Sequence, residues 1–295
     1  NLKSLSKASL DDLMLLWSGL GYYRRIKNIY LASQIIAEKY NNKFPRDFDD
    51  ILSLPGIGRT TASAISTFSG YSKRAILDGN VKRILRRYFN ITHENNSKTE
   101  KILWDKSIYV TPTAKTSQFI QGMMDVGSLI CTRTRPSCSM CPLQAINCLY
   151  TDGGKSTSRS KKIYKKINMY LLIIIDPLNQ VYLVKIESGK LWENLYSGPF
   201  FYSTQNMKSW LKEKNLYDTK ETNKFHINHR VTNKDIKITN YVYFLKNDKK
   251  VSFSTENWYN LSKINVGIPR YFDKALKVYR SINEKNYVQK IEKRG

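Results

Sequence analysis

The sequence predicts a mainly helical domain followed by an α+β domain, and three observations carry this prediction. Apolar residues recur every three to four positions through the first half of the chain, which is typical of amphipathic helices. From Met169 onward, short apolar runs bounded by turn residues indicate strands. Between the halves, the segment TDGGKSTSRSKKIYKK is polar, basic and glycine-containing, as linkers are. We therefore assign residues 1–150 to the first domain, 151–166 to a linker and 167–290 to the second domain.

Local signals place the helices of the first domain. Ser9 and Asp12 form a capping-box pattern at the start of one helix. This helix is expected to end at residues 18–21, which contain two glycines. An apolar stripe over residues 26–40 predicts a second helix, and a short third one starts at Asp47. Further helices are expected around Ala62, Ile65 and Phe68 and after Asp78. The last of these should turn its apolar residues inward and four cations outward: Lys82, Arg83, Arg86 and Arg87.

The second domain combines a hairpin, a later strand and two helices. The run MYLLIII, the turn signal Asp176-Pro177-Leu178-Asn179 and the run VYLVKI predict the hairpin. The same criteria predict a strand at 236–245 and amphipathic helices at 206–214 and 269–281.

The formal net charge of +25 favours a polyanionic partner such as nucleic acid. Compositional drift stays open, because the chain is rich in Lys, Asn, Ile and Tyr, as AT-rich coding would produce. No apolar run approaches the roughly 18 residues that span a bilayer, and no cleavable signal is visible. We expect a cytoplasmic, nucleoid-associated bacterial monomer without membrane contact. Because the first residue is Asn rather than Met, we also expect that an upstream piece is missing.

The string Leu-Pro-Gly-Ile-Gly-Arg-Thr-Thr-Ala contains the glycines Gly56 and Gly58, followed by Arg59 and Thr60. Two glycines two positions apart permit a tight turn between helices. The next helix then begins with unpaired N–H groups, which suit a phosphate of a DNA backbone but carry no base specificity. Gly-x-Gly alone would be an ordinary helix–helix turn, and the full string, followed by Asp78, favours the DNA interpretation.

Asp78 lies in the string Ile-Leu-Asp-Gly-Asn-Val-Lys-Arg, at the position of a helix N-cap. A lone Asp there would serve only as a cap. Here Gly79 keeps space open, Asn80 adds a polar group and Lys82 brings positive charge close. A carboxylate at this point could stabilise a cationic sugar or attack its C1′ carbon, since glycosidic chemistry passes through an oxocarbenium-like state.

The chain has four cysteines, Cys131, Cys138, Cys141 and Cys148, with gaps of six, two and six residues. Four thiols so close together, without a secretion signal, indicate a metal or cluster site in a reducing compartment. Iron–sulfur cubanes and structural zinc sites both use four Cys, and the spacing favours the cluster because only one Cys-x-x-Cys knuckle is present. Arg133 and Arg135 in the first gap would make this loop a phosphate-facing edge.

Taken together, LWSGLGYYRR, LPGIGRTTA, ILDGNVKR, FIQGMMDVGSLICTR and the four-Cys loop resemble the helix-hairpin-helix glycosylases of the endonuclease III superfamily. The resemblance is strongest to the A/G-specific adenine DNA glycosylases and runs from about residue 2 to about residue 285. The strings LWENLY and WYNL resemble the Nudix-like recognition domain of that family. The fold implied is a mainly α helix-hairpin-helix glycosylase domain with an iron–sulfur cluster loop, followed by an α+β Nudix-like C-terminal domain. The resemblance also implies one 4Fe-4S cluster.

The resemblance implies roles for several residues. Asp78 matches the aspartate that stabilises or briefly bonds the sugar cation, and Asn80 matches the asparagine beside it. Thr60 occupies a supporting position at which the endonuclease III branch has a lysine that forms a Schiff base. Because threonine lacks that amine, a combined glycosylase and lyase is disfavoured. Lys82 matches a lysine near the abasic product. Tyr22 matches a tyrosine wedged into the base stack, although from the residues alone a core position is equally compatible.

Three departures from the family pattern matter. The family places a catalytic Glu upstream of the point where this sequence begins, and no residue here takes its role; we expect a fragment rather than an inactive protein. The last Cys gap is six rather than five residues, which a surface loop can absorb. The Phe-Ser-His loop that touches 8-oxoguanine aligns with Val231-Thr232-Asn233, so only Thr232 keeps a hydroxyl for lesion recognition.

Two other features of the second domain are expected to carry no catalysis. The glutamate-dense core of a Nudix pyrophosphohydrolase is absent, so we expect recognition without nucleotide hydrolysis. His226 and His229 could form a metal-binding pair, but surface positions without metal are the expectation.

The function implied is base-excision repair, in which adenine opposite guanine or 8-oxoguanine in double-stranded DNA is flipped out and its N-glycosidic bond is hydrolysed. Two other functions stay open. One is an endonuclease III-like glycosylase and abasic-site lyase acting on oxidised pyrimidines. The other is a decayed glycosylase that binds the mispair without cutting it.

Overall fold

The computed structural model describes residues 1–92, 96–150, 164–216, 221–245, 253 and 257–292. Most of the predicted linker, residues 151–163, lies outside the described residues. In the described part of the chain, no helix is both long enough and apolar enough to span a bilayer.

The chain divides into two compact units. The first contains Asn1–Ser6 and Leu31–Ser160, and the second contains Lys7–Tyr30 and Lys161–Gly295. The predicted helical and α+β parts are therefore both present. The segment Lys7–Tyr30 differs from the prediction, because it was assigned to the first domain and packs with the second unit instead.

Ten α-helices lie in the described residues, and their N-caps confirm the capping signals of the sequence. The side chains of Ser9, Asp47 and Asp78 each accept hydrogen bonds from the first turn of the helix that follows. The helices are α1 (Leu2–Lys7), α2 (Leu10–Leu16), α3 (Arg24–Tyr40), α4 (Phe48–Ser53), α5 (Arg59–Phe68), α6 (Gly79–Tyr88), α7 (Ser97–Val110), α8 (Thr116–Asp125), α9 (Thr204–Glu213) and α10 (Arg270–Glu292).

The core of the first unit forms around α6. Val81, Ile84 and Leu85 are buried against Leu103 of α7 and Ile120 of α8. This confirms the predicted inward face of α6. The prediction that all four cations of α6 point outward is wrong for Arg83 and Arg87, which donate hydrogen bonds to backbone carbonyls near Cys131.

The second unit is built on a mixed sheet. Its strands are β1 (Lys165–Ile175), β2 (Gln180–Tyr182), β3 (Val184–Lys185), β4 (Tyr196–Ser197), β5 (Phe200–Phe201), β6 (Asn223–Val231), β7 (Lys234–Phe244) and β8 (Trp258–Asn260). Six of these strands form one sheet in the order β6-β7-β1-β2-β8, with β5 beside β1, and β3 pairs with β4 separately. The predicted hairpin is confirmed by the antiparallel pairing of β1 with β2.

Strands β1 and β7 run parallel over eleven residue pairs, from Lys165↔Lys234 to Ile175↔Phe244. One side of this sheet packs against α10, where Tyr279 contacts Phe244 of β7 and Tyr271 contacts His229 of β6. The other side packs against α9 through Met207 and Leu211.

The segment Lys7–Tyr30 is held in the second unit by charged and backbone contacts. Lys27 Nζ lies 2.7 Å from Glu193 Oε1, and Lys185 Nζ lies 2.7 Å from Asp11 Oδ1. A Cβ atom on Gly267 would come within 2.8 Å of the Met14 backbone, so only glycine fits at this approach. Local sequence patterns do not predict these contacts, because the partners lie more than 160 residues apart.

We predict that Glu193→Gln lowers the free energy of unfolding by about 1 kcal/mol at pH 7, because it removes the half-buried ion pair with Lys27. The hydrogen bond from Lys27 holds the pKa of the Glu193 carboxyl below its ordinary value. The stabilisation is therefore present above about pH 4.3 and is lost as the pH falls through the lowered pKa. Urea unfolding at pH 7 and at about pH 3, below the lowered pKa, measures both effects.

Glu187→Gln is the matched control for this prediction. Glu187 also pairs with a lysine at 2.7 Å, but its side chain is 76% exposed. Its removal should leave the unfolding midpoint nearly unchanged at either pH. Equal losses for the two variants would contradict the importance of the Lys27 pair.

Candidate functional site

A tight turn between α4 and α5 contains the two glycines of the first motif. Gly56 has a φ of +79°, which favours glycine, and the Ile57 N–H donates to the Leu54 carbonyl at 3.1 Å. Gly58 is the N-cap of α5, and the cap has no side-chain hydrogen bond. The space in front of Gly58 is open. The first N–H groups of α5 can thus face an anion, as the motif predicts.

Arg59 and Thr60 begin α5, and both contact other parts of the first unit. The Arg59 guanidinium lies 3.9 Å from the centre of the Trp104 ring, a cation–π contact on the exposed surface. The Thr60 hydroxyl donates to the Leu77 carbonyl at 3.1 Å. Thr60 therefore ties the hairpin to the residue before Asp78.

Asp78 is half-buried at the N-terminus of α6. Its Oδ1 accepts hydrogen bonds from the N–H groups of Asn80 at 3.0 Å and Val81 at 2.8 Å. Within the part of the chain that the structure describes, Oδ2 has no hydrogen-bond partner. Upstream, Ser107 donates a buried hydrogen bond to the Ile76 carbonyl at 2.6 Å, which fixes the approach to Asp78. One oxygen thus orients the carboxylate and the other is available.

Asn80 is fixed by its neighbours on α6 and after α8. Its Oδ1 accepts a hydrogen bond from Arg83 at 2.9 Å. Arg83 also donates to the carbonyls of Gly127 and Cys131. Gly127 lies in a π-helical turn, Val126–Ile130, and a Cβ atom there would lie 2.6 Å from the Asn80 Cβ. Gly127 is therefore required by close packing against Asn80.

Lys82 pairs with a residue that sequence reasoning missed. Its Nζ lies 2.7 Å from Oε1 and 2.6 Å from Oε2 of Glu100, in the first turn of α7. Both side chains are partly exposed. The bidentate contact holds the ammonium group in place and balances its charge.

The four cysteines line one cavity, together with Arg87, Tyr150 and apolar side chains. Arg87 donates to the sulfur of Cys131 at 3.1 Å and to the carbonyl of Thr132 at 2.7 Å. Tyr88 donates to the carbonyl of Ile146 at 2.9 Å. Within the described residues, no three Cys, His, Asp or Glu side chains converge closely enough to bind a single metal ion. The four cysteines, all of which the structure describes, are partly exposed and form no disulfide.

Arg133 and Arg135 are exposed in the loop between the first two cysteines. The carbonyl of Arg133 accepts from Arg87, and the carbonyl of Arg135 accepts from Thr132. The backbone of the loop is thus fixed while both guanidinium groups remain at the surface, as a phosphate-facing edge requires.

Tyr22 is 77% exposed, so the core interpretation left open by the sequence is wrong for this residue. It has a φ of +49° in a turn where Trp17 Nε1 donates to the Gly21 carbonyl at 2.9 Å. The Arg25 guanidinium lies 4.7 Å from the ring centre. The geometry leaves the ring accessible, as insertion into a base stack would require.

Thr232 lies in the tight turn between β6 and β7 and has a φ of +51°. Its hydroxyl donates to the carbonyl of Val231 at 2.8 Å and lies at the surface. His226 and His229 lie on opposite sides of β6, so they cannot bind one metal ion together. His226 is exposed, as predicted. His229 is half-buried against Trp192 and Tyr271, and burial lowers its pKa.

Comparison with known proteins identifies the class first. The family model for the HhH-GPD superfamily of base excision DNA repair proteins matches residues 1–107. The hairpin, Asp78 and the helix that it caps all lie in this region, which defines a base-excision-repair DNA glycosylase.

An adenine DNA glycosylase of Buchnera aphidicola subsp. Acyrthosiphon pisum is 38% identical over 95% of this chain and 82% of that protein. The enzyme of Buchnera aphidicola subsp. Schizaphis graminum is 37% identical over 95% of this chain and 83% of that protein. The chain belongs to the adenine DNA glycosylase family. Among solved structures, a thermostable thymine-DNA glycosylase aligns at 26% identity with a TM-score of 0.46, over 50% of this chain and 69% of that one.

We predict that Gly127→Ala slows base release more than it weakens duplex binding, because the new methyl group would displace Asn80. Overpacking at this point should also lower the free energy of unfolding by about 1–3 kcal/mol. Single-turnover base release and equilibrium binding to the same duplex separate the two effects.

Gly122→Ala is the control for Gly127→Ala. Gly122 lies in α8, and a methyl group added there would have no other atom within 4 Å outside its own stretch of helix. This variant should retain the base-release rate and gain about 0.5–1 kcal/mol from helix propensity. The positioning of Asn80 by Gly127 would be refuted if both variants released base equally fast.

Proposed function

We propose that this glycosylase hydrolyses the N-glycosidic bond of adenine mispaired with guanine or 8-oxoguanine in double-stranded DNA. The observation that carries the proposal is the carboxylate of Asp78. One oxygen is held by two backbone N–H groups, and the other has no partner within the described residues. The adenine DNA glycosylases that this chain resembles over 95% of its length support the choice of base.

In the proposed reaction, adenine leaves C1′ with the electron pair of the glycosidic bond and receives a proton on its ring. The deoxyribose becomes an oxocarbenium-like cation, and Oδ2 of Asp78 provides the opposing negative charge. Water then adds to C1′ and gives up a proton, which leaves an abasic site. Asn80 borders this position, and no residue of the described chain is assigned as the acid that protonates adenine.

The N-terminal end of α5 and the surface arginines are proposed to hold the duplex. Gly56 and Gly58 expose backbone N–H groups, which suit a phosphate. Arg133 and Arg135 add positive charge in the cysteine loop, and Arg59 does so beside Trp104. Tyr22 is proposed to fill the gap left by the extruded base, since its ring is accessible.

We propose a 4Fe-4S cluster in the cavity that all four cysteines line. Four cysteine thiolates are the ligands that a cubane takes, and Cys131, Cys138, Cys141 and Cys148 all line this one cavity. Arg87, which donates to the Cys131 sulfur, would stabilise a thiolate there. When bound, the cluster would supply a rigid covalent centre for the Arg133 loop.

The second unit is proposed to be a Nudix-like domain that reads the base opposite adenine. Its mixed sheet between α9 and α10 is compatible with that fold. Thr232 is the proposed lesion contact, because it offers a hydroxyl at an exposed turn.

An endonuclease III-like lyase is a weaker candidate. That chemistry needs an amine to attack C1′, and position 60 carries a threonine whose hydroxyl is engaged by the Leu77 carbonyl. The amine of Lys82 is paired with both oxygens of Glu100. Strong, lysine-dependent borohydride trapping on an oxidised-pyrimidine duplex would support this rival. Mispair binding by the full encoded protein without any base release would favour the decayed binder.

We predict that Asp78→Asn retains duplex affinity within a few-fold and slows single-turnover adenine release by roughly 10²–10³-fold or more. Asparagine can still cap α6 through its side-chain oxygen, so the fold should persist and only the negative charge is lost. The measurement is base release from an A:8-oxoguanine duplex at saturating protein.

Asp47→Asn is the matched control for Asp78→Asn, because Asp47 also caps a helix with one oxygen that accepts two N–H groups. It should release adenine at the wild-type rate. Normal release by Asp78→Asn would remove Asp78 from the mechanism.

We predict that the purified chain contains iron and acid-labile sulfide in equal numbers, and that Cys138→Ser lowers both. Ser137→Ala is the control, because Ser137 lines the same cavity without a thiol. Elemental and sulfide analysis gives the readout without any activity assay. A result of one zinc per chain with no sulfide would contradict the cluster and indicate a zinc site.

A further inference from the structure

The sheet of the second unit has one side that is only half covered. On the side facing α9, Leu172, Ile174 and Tyr243 pack with Met207 and Leu211. Toward the opposite end of β1 and β7, the side chains on the same side are polar and largely exposed. The register places Lys166 beside Asp235 and Arg230, and Asn168 beside Lys237 and Asn228.

We call this side of the sheet the basic face and define it by four exposed cations. Lys166, Arg230 and Lys237 lie at its uncovered end, and Lys224 lies further along β6, beside Tyr241. Lys166 and Arg230 both pair with Asp235 of β7, and Lys224 pairs with Tyr241. Positions 235, 237 and 241 are an even number of residues apart, so their side chains and those of their partners lie on one side of the sheet. Among the strand residues of this face, Asp235 supplies the opposing carboxylate, and it lies 3.4 Å from Arg230. The face therefore carries a net positive charge.

Two of the four cations of the basic face are held in place by tyrosines. The Arg230 guanidinium lies 4.4 Å from the centre of the Tyr164 ring, and Lys224 Nζ lies 4.9 Å from that of Tyr241. Both rings are only partly exposed and carry a cation on one side, so they offer less surface for stacking on bases than an exposed ring such as Tyr22. The face offers positive charge and amide groups, which fits phosphates better than unpaired bases.

The basic face leads directly to the turn between β6 and β7. Strand β6 ends at Val231, next to Arg230, and Lys234 begins β7 directly after the turn residues 232 and 233. If this turn contacts a base, as the proposed function states, the strands behind it lie within reach of the adjoining backbone.

We infer that the basic face binds the phosphate backbone of the duplex that carries the mispair. This inference rests on the proposed function for the identity of the nucleic acid, and it assigns a DNA contact to the sheet itself. The contact carries no base specificity, because phosphates are the same at every base.

The test compares two double variants on an undamaged duplex, so it does not depend on adenine excision. Arg230→Gln with Lys237→Gln removes two cations from the basic face. Lys208→Gln with Lys212→Gln removes two exposed lysines from α9. The first pair should weaken binding several-fold and reduce the slope of log affinity against log salt by about one per cation. The second pair should change both quantities much less.

Asp235→Asn provides a change of opposite sign. Removing the carboxylate of the basic face should tighten duplex binding and steepen its salt dependence, which a damaged fold would not do. Equal behaviour of the two double variants, or no gain from Asp235→Asn, would overturn the inference. Because the readout is affinity for an undamaged duplex, its result does not depend on whether Asp78→Asn slows adenine release. A failure of this inference and a failure of the proposed function are therefore distinguishable.

Discussion

The first unit depends on a hydrogen-bonded cap, the contact of Asp78 Oδ1 with the N–H groups of Asn80 and Val81. The contact begins α6, around which the core of this unit is built. It also fixes the direction of the other carboxylate oxygen. A structural role and a chemical one are thus combined in a single side chain, since an unheld carboxylate would lose the geometry that charge stabilisation needs.

Helix α6 also orders the cysteine loop. Arg83 and Arg87, one turn apart, donate to carbonyls near Cys131, and Tyr88 reaches the carbonyl of Ile146 at the other end of the loop. Loop carbonyls away from water need such donors. The same helix therefore links Asp78 at its start to the cysteine cavity along its length.

The capping signals and apolar periodicity predicted much of the fold, because each depends on residues a few positions apart. The helix after Asp78, the hairpin at 176–179 and the strand around 236–245 are present. Strand β6 was missed, because its exposed side alternates Lys, His, Asn and Arg and its apolar signal is weak. The packing of Lys7–Tyr30 with the second unit is not predictable from local patterns, since its ion pairs join residues far apart in sequence.

The sequence by itself determined the class of chemistry, since a hairpin string, an aspartate cap and four clustered cysteines are local patterns. Tertiary structure decided which residues serve them. Three contacts join segments that are distant in sequence: Lys82 with Glu100, Asn80 with Gly127, and Arg83 with the Gly127 carbonyl. The periodicity of the sequence does not predict such contacts, because they follow from the packing of whole helices against one another.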